Sequence, residues 1–250
     1  MKKYLVALLA ITAWISCIAQ EKNPPDWNNI EFEVNNPSSE YYYPRLMERY
    51  VVADTSLTLD EYYHLYYGYV FQPSYKPLLR YPESDSLDNL FSHRSSISYN
   101  TFIKASKYAN ELVKKSPFSL RDINLLAYTL DNLDQKEAAA REMRKLQMLQ
   151  QVILSTGSGL KEKSPYYIVL PSNGDDIIGL KGLTMVKSII CSADIVFIQV
   201  SDMPKDMKKY KGFYFDISQV YKRKPEYLDE VEQPKRHMEI NKTRPWELKK

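Results

Sequence analysis

Three histidines, two cysteines and an excess of tyrosine set the chemistry open to this chain of 250 residues. His64 stands among Tyr62, Tyr63, Tyr66 and Tyr67, with Asp60 one helical turn before it; His93 and His237 lie in polar stretches. A metal cage needs three or four ligands at fixed spacing, such as His-x-x-x-His or paired cysteines. Neither pattern occurs, and Asp60 with His64 supplies two ligands at most, so no metal or cofactor is expected. Nucleophile signatures are also missing. Thr156-Gly-Ser-Gly-Leu-Lys161 has the composition of a phosphate loop. Such a loop follows a strand and opens a helix, whereas this segment follows a helical pattern and precedes a strand. It reads as a helix C-cap and linker, with Gly157 or Gly159 supplying a positive φ.

Carboxylates are too numerous for counting to select a pair. Asp175 and Asp176 follow Asn173-Gly174 and read as solvated residues at a hairpin tip. A glycosidase would hold two carboxylates about 5–10 Å apart in a cleft, a separation that chain spacing does not define, and no catalytic residue is assigned. Cys191 ends the apolar run from Met185 and reads as a small buried hydrophobe.

Tyrosine is the residue in surplus, 21 in all, and eleven of them lie between Tyr41 and Tyr81. On a helix over 59–69, Leu59, Tyr62, Tyr66 and Val70 share a core-facing side, so Tyr63, His64 and Tyr67 are expected on another face. A tyrosine packs an apolar ring while keeping a hydroxyl for a partner, which suits protein interfaces and sugar stacking. Tyr63, His64 and Tyr67 are therefore the candidate binding residues.

The elements that must position these groups form two blocks. Apolar stripes predict helices over 43–53, 59–69, about 98–116, 119–131 and 135–154, with a short helical turn at 87–91. Thr58 and Glu61 make a capping box opening the second of these. Phe102, Ala105, Ala109 and Leu112, then Leu126, Ala127 and Ala139, resemble about one and a half tetratricopeptide repeats, and small residues at crossings suit any stacked helical hairpin. After Ser155 to Gly159 the pattern shifts to short β-branched and aromatic runs: 166–170, 177–180, 185–191, 195–200 and 213–217. These predict a small antiparallel sheet of three to five strands, although 177–191 lacks clean alternation and could hold a helix. The expected architecture is α+β: stacked antiparallel helical hairpins over 41–156, then a sheet over 157–221 of the same domain. Residues 20–40 read as a linker and 222–250 as a flexible charged tail.

Met1-Lys2-Lys3 precedes twelve uncharged apolar residues, Tyr4 to Ile15. A membrane span needs about 20, so residues 1–19 read as a signal peptide, and no later segment reads as a span. Cleavage after Ala19 leaves Cys17 and Ala19 as the small residues before the cut; alternatively Cys17, after Ser16, is a lipid attachment site. Either route places the mature chain in the periplasm or cell envelope, or anchored to the outer membrane. Loss or acylation of Cys17 leaves Cys191 without a disulfide partner. The formal charge is +3, and two of those charges are Lys2 and Lys3. So balanced a chain has no electrostatic drive toward nucleic acid.

Several blocks together, Tyr43-Pro-Arg-Leu-Met-Glu-Arg-Tyr50, Leu57 to Glu61, Leu65-Tyr-Tyr-Gly68, Tyr75 with Pro77, Ile153 to Gly157 and Gly212 to Ile217, resemble an exported Bacteroidetes family. It is catalogued as a domain of unknown function, family number 4919, and the likeness spans about residues 40–221. The chain departs from it at Thr156 to Gly159, where an acid is expected between the glycines. The resemblance implies export and an α+β domain, and supplies no activity. The functional expectation is a non-enzymatic envelope binding module for a protein, peptide or glycan. The alternative is a hydrolase of envelope polysaccharide or peptide with paired carboxylates at the helix–sheet junction.

Overall fold

The computed structural model describes residues 24–91 and 98–222. The expected signal peptide with Cys17, His93, and the tail from 223 with His237 lie outside them.

Seven helices come first: α1 (Trp27–Asn35), α2 (Tyr43–Val51), α3 (Leu59–Gly68), α4 (Pro82–Phe91), α5 (Tyr99–Lys115), α6 (Leu120–Asn132) and α7 (Lys136–Ser155). Then follow β1 (Tyr166–Tyr167), α8 (Ser172–Leu180), β2 (Met185–Ile190), β3 (Ile195–Val200), β4 (Gly212–Asp216) and α9 (Ser218–Lys222). The fold is α+β, and α5, α6 and α7 stack as successive helical hairpins. Small residues allow the close approach: Ala105, Ala109, Ala127 and Ala139 are all buried. The Thr58–Glu61 capping box is present, with Thr58 Oγ1 accepting from the Glu61 amide at 3.2 Å and Glu61 returning the bond to the Thr58 amide at 2.7 Å.

The structure corrects the sequence reading in four places. Residues 27–35, expected as linker, form α1. Asp26 caps it, and Ile30 and Val34, one turn apart, enter the core. Its contact with α3 is close enough that a Cβ on Gly68 would lie 2.6 Å from Val34 Cγ1, which explains a glycine at that helix end. Residues 172–180 form a helix, because Asn173, Gly174, Ile177 and Ile178 recur at helical spacing and are all buried. The sheet is mixed, in the order β1-β4-β3-β2. β2, β3 and β4 are antiparallel, but β4 returns beside β1 in parallel, with Tyr166 opposite Phe215. Cys191, just after the edge strand β2, is exposed rather than buried.

Tyrosine carries the core that joins the two blocks. Tyr50, Tyr62, Tyr66, Tyr67, Tyr69 and Tyr75 are each at most 2% exposed. The two-residue strand β1 leaves the backbone after it largely without ladder partners, and buried peptide groups must be paired. Tyrosine hydroxyls pair them. Tyr67 Oη donates to Tyr167 O at 3.0 Å, Tyr75 Oη donates to Val169 O at 2.7 Å, and Tyr66 Oη accepts from the Val169 amide at 3.2 Å. Phenylalanine would fill the same volume and leave those groups orphaned. A single hydrophobic cluster thus runs from Ile30 through to Val220.

Candidate functional site at the helix–sheet junction

The three residues expected to form a binding face do not share one. Tyr67 is fully buried. Tyr63 is half-buried, with its ring edge-on to Tyr67 at 4.8 Å. His64 is also half-buried; its ring stacks on Tyr41 at 3.7 Å between centroids, and its Nδ1 lies 2.9 Å from Asp60 O. Trp27 closes the group edge-on to Tyr67 at 5.6 Å. Desolvation pushes the Tyr63 hydroxyl up to about 12, so it stays protonated. The helix has aromatics on two faces, as its sequence requires, because α1 and the Tyr41 segment cover the second face.

A different constellation forms where α6 begins, opposite α8. Ser119 precedes α6 without a side-chain cap bond to its amides. Asp176, in α8, stands against this helix end instead: its carboxylate accepts from Arg121 Nε at 3.2 Å, and the Arg121 backbone amide also favours its charged form. An anionic group at a helix N-terminus is favoured by the unpaired amides and the helix dipole. Only 9% of the Asp176 side chain is exposed, against 57% for Arg121. Burial raises the Asp176 pKa to about 6; the Arg121 guanidinium opposes that shift, and the charge of Asp122 adds to it. Burial also pushes Asp122 and Asp175 up, each against the pull of Arg121.

Three adjoining cavities share Arg121 as a wall. One, of about 450 Å³, lies under the 76–81 segment beside Tyr81, Asp88, Asp122 and Pro171. A second, of about 460 Å³, runs between α6 and α8, lined by Asn124, Leu125, Tyr128, Asp175 and Asp176. The third, of about 400 Å³, opens over the sheet against Ile198, Phe215 and Val220. An exposed guanidinium, an exposed carboxylate (Asp175) and apolar walls can hold a ligand that has acceptors, donors and apolar surface. Asp176 is in a poor position for proton transfer. One oxygen is on Arg121, and the other is buried with no hydrogen-bond partner among the described residues. Among the described residues, no three of His, Cys, Asp and Glu come together as metal ligands.

The linear sequence does not single out Arg121 or Asp122. It does display Asp175 and Asp176, but the reading as a hairpin tip misplaces them. The recurrence of Asn173, Gly174, Ile177 and Ile178 is the signal that puts these acids on a helix.

A helix-rich α+β domain with a cleft at its helix–sheet seam is the class of protein the geometry defines. Within that class, the chain belongs to the family described as Domain of unknown function (DUF4919), whose model matches residues 28–226. No curated protein and no solved structure matches the chain.

Proposed function

We propose that this chain is an exported binding module without catalytic activity, which holds a protein, peptide or glycan of the cell envelope in the clefts meeting at Arg121. One observation carries the reading: a single, largely exposed guanidinium lines three adjoining cavities whose walls come from both the helices and the sheet. Tyr63 and His64 form a separate, partly exposed aromatic flank and are the secondary contact surface. Export rests on residues 1–19, with Cys17 as the alternative lipid attachment site, which intact-mass analysis of the native protein distinguishes. The test is a thermal-shift screen of the mature chain against envelope glycans, peptidoglycan fragments and peptides, followed by Arg121→Gln. A ligand at 100 times its Kd adds about 2.7 kcal/mol to stability. Arg121→Gln is expected to weaken a hit at least tenfold while the circular dichroism spectrum stays native. Binding that is unchanged in the variant sinks this site.

A hydrolase is the second reading, favoured by the upward-shifted carboxyl of Asp175, which lines two of the cavities that meet at Arg121. It requires product release from envelope polysaccharide or peptide, abolished in Asp175→Asn. Ligand binding without turnover decides against it.

A further inference from the structure

β2 is the outer strand of the sheet: β3 pairs with one side of it, and no described residue pairs with the other. All six of its residues are exposed, including Val186 at 54% and Ile190 at 76%. An apolar edge of this kind invites another strand, and proteins normally blunt or cover it. Its geometry fits an extended chain. The Cys191 amide bonds Ile195 O at 2.9 Å, so in the alternating antiparallel ladder the pairs 189–197 and 187–199 face β3. Ser188 and Ile190 then turn their N–H and C=O groups outward. The same two residues, with Met185, line the groove of about 400 Å³ over Ile198 and Phe215. Open backbone groups and an apolar trough therefore recur together every second residue, which is the period of a β-strand. Charge selects the occupant further. The groove's own lining carries one cation, Arg121, bonded to Asp176 through Nε, and one carboxylate, Asp175. The surrounding chain, residues 181–222, holds seven lysines against four acidic residues.

Resting on the binding role above, we infer that the β2 edge takes an extended acidic peptide as a fifth strand. Alternate apolar side chains of the peptide enter the groove, and its carboxylates meet Arg121 and the lysines. The probe is the synthetic peptide acetyl-Asp-Val-Thr-Val-Thr-Val-Asp-amide, added to the mature chain and followed by NMR-detected hydrogen exchange. Exchange at the Ser188 and Ile190 amides is expected to slow at least tenfold. A peptide with alternate N-methylated amides along one edge should give no protection, and one with Lys in place of both Asp should bind at least tenfold more weakly. Ser188→Pro removes an outward N–H without touching the ladder to β3, and should abolish the protection. Should that variant misfold, the N-methylated peptide still decides. Peptide binding that perturbs only the Arg121 cleft overturns the strand addition and leaves the binding role standing, as does a ligand from the screen when no peptide binds. Protection that exists without peptide also overturns it: dependence on protein concentration assigns the edge to a second copy, and independence assigns it to the rest of the chain. The Arg121→Gln measurement decides the binding role separately.

Discussion

Asp176 and Arg121, 55 residues apart, are joined by a hydrogen-bonded ion pair, Nε to carboxylate oxygen at 3.2 Å. A carboxylate from α8 is thereby tied to a side chain in the first turn of α6, at the point where the three cavities meet. The bond that shapes the cleft also keeps the arginine pointing into it. Asp176 is thus a positioning residue, with Arg121 as the group a ligand would touch.

Asp176 should leave a signature in the pH dependence of stability. Its carboxyl titrates near 6 in the folded chain, against an ordinary value of 3.8. Between those values the folded state holds a proton that the unfolded state has released. The contribution is full below about pH 4 and is lost as pH rises through about 6, a loss on the order of 3 kcal/mol. Urea denaturation across pH 4–7 should show wild type losing that much stability relative to Asp176→Asn. Parallel curves would show that the carboxyl is not desolvated.

Tyr67 should behave as core and Tyr63 as flank. Tyr67→Phe removes the bond to Tyr167 O and should cost about 1–2 kcal/mol. Tyr67→Ala should cost about 3–5 kcal/mol, as other large-to-small core changes do. Tyr63→Ala, at a half-buried position, should cost clearly less than Tyr67→Ala. Equilibrium denaturation of the three variants checks the order, and a neutral Tyr67→Ala would refute the packing described above.

The glycines after α7 should rank by the space around them. A Cβ on Gly157 would fall 1.9 Å from Pro165 O, and one on Gly159, at φ +66°, would fall 2.3 Å from the Tyr166 ring. Gly182 has φ +70° with open space around it. Gly182→Ala should therefore cost about 1 kcal/mol, the left-handed backbone penalty alone. Gly157→Ala and Gly159→Ala should each lose more than 2 kcal/mol by adding steric overlap to the backbone. Thermal denaturation that ranks Gly182→Ala as the worst of the three would contradict this.

Much of the local structure was legible in the residues themselves. The Thr58–Glu61 box, the alanine-bearing stripes of α5 to α7 and a positive φ at one of Gly157 and Gly159, which the structure places at Gly159, are determined by neighbours within a few positions, where hydrogen bonding and helical period act directly. Other features depended on partners distant in sequence. α1 is short, with Ile30 and Val34 its only buried residues and Phe32 left exposed, and it is held by docking on Gly68. Parallel pairing of β1 with β4 is set by how the chain crosses back, and a two-residue strand carries no pattern that announces it. Tyr67 and Asp176 make the same point about function. Periodicity shows that α3 has two aromatic faces, yet only the arrival of α1 and β1 decides that the second is covered. A pair of adjacent acids reads as solvated until α8 presses one of them onto the first turn of α6. Burial and charge pairing are properties of what surrounds a residue. The sequence by itself determined the elements and the tyrosine surplus; tertiary packing alone decided which hydroxyls became core bonds and which arginine faces a cleft.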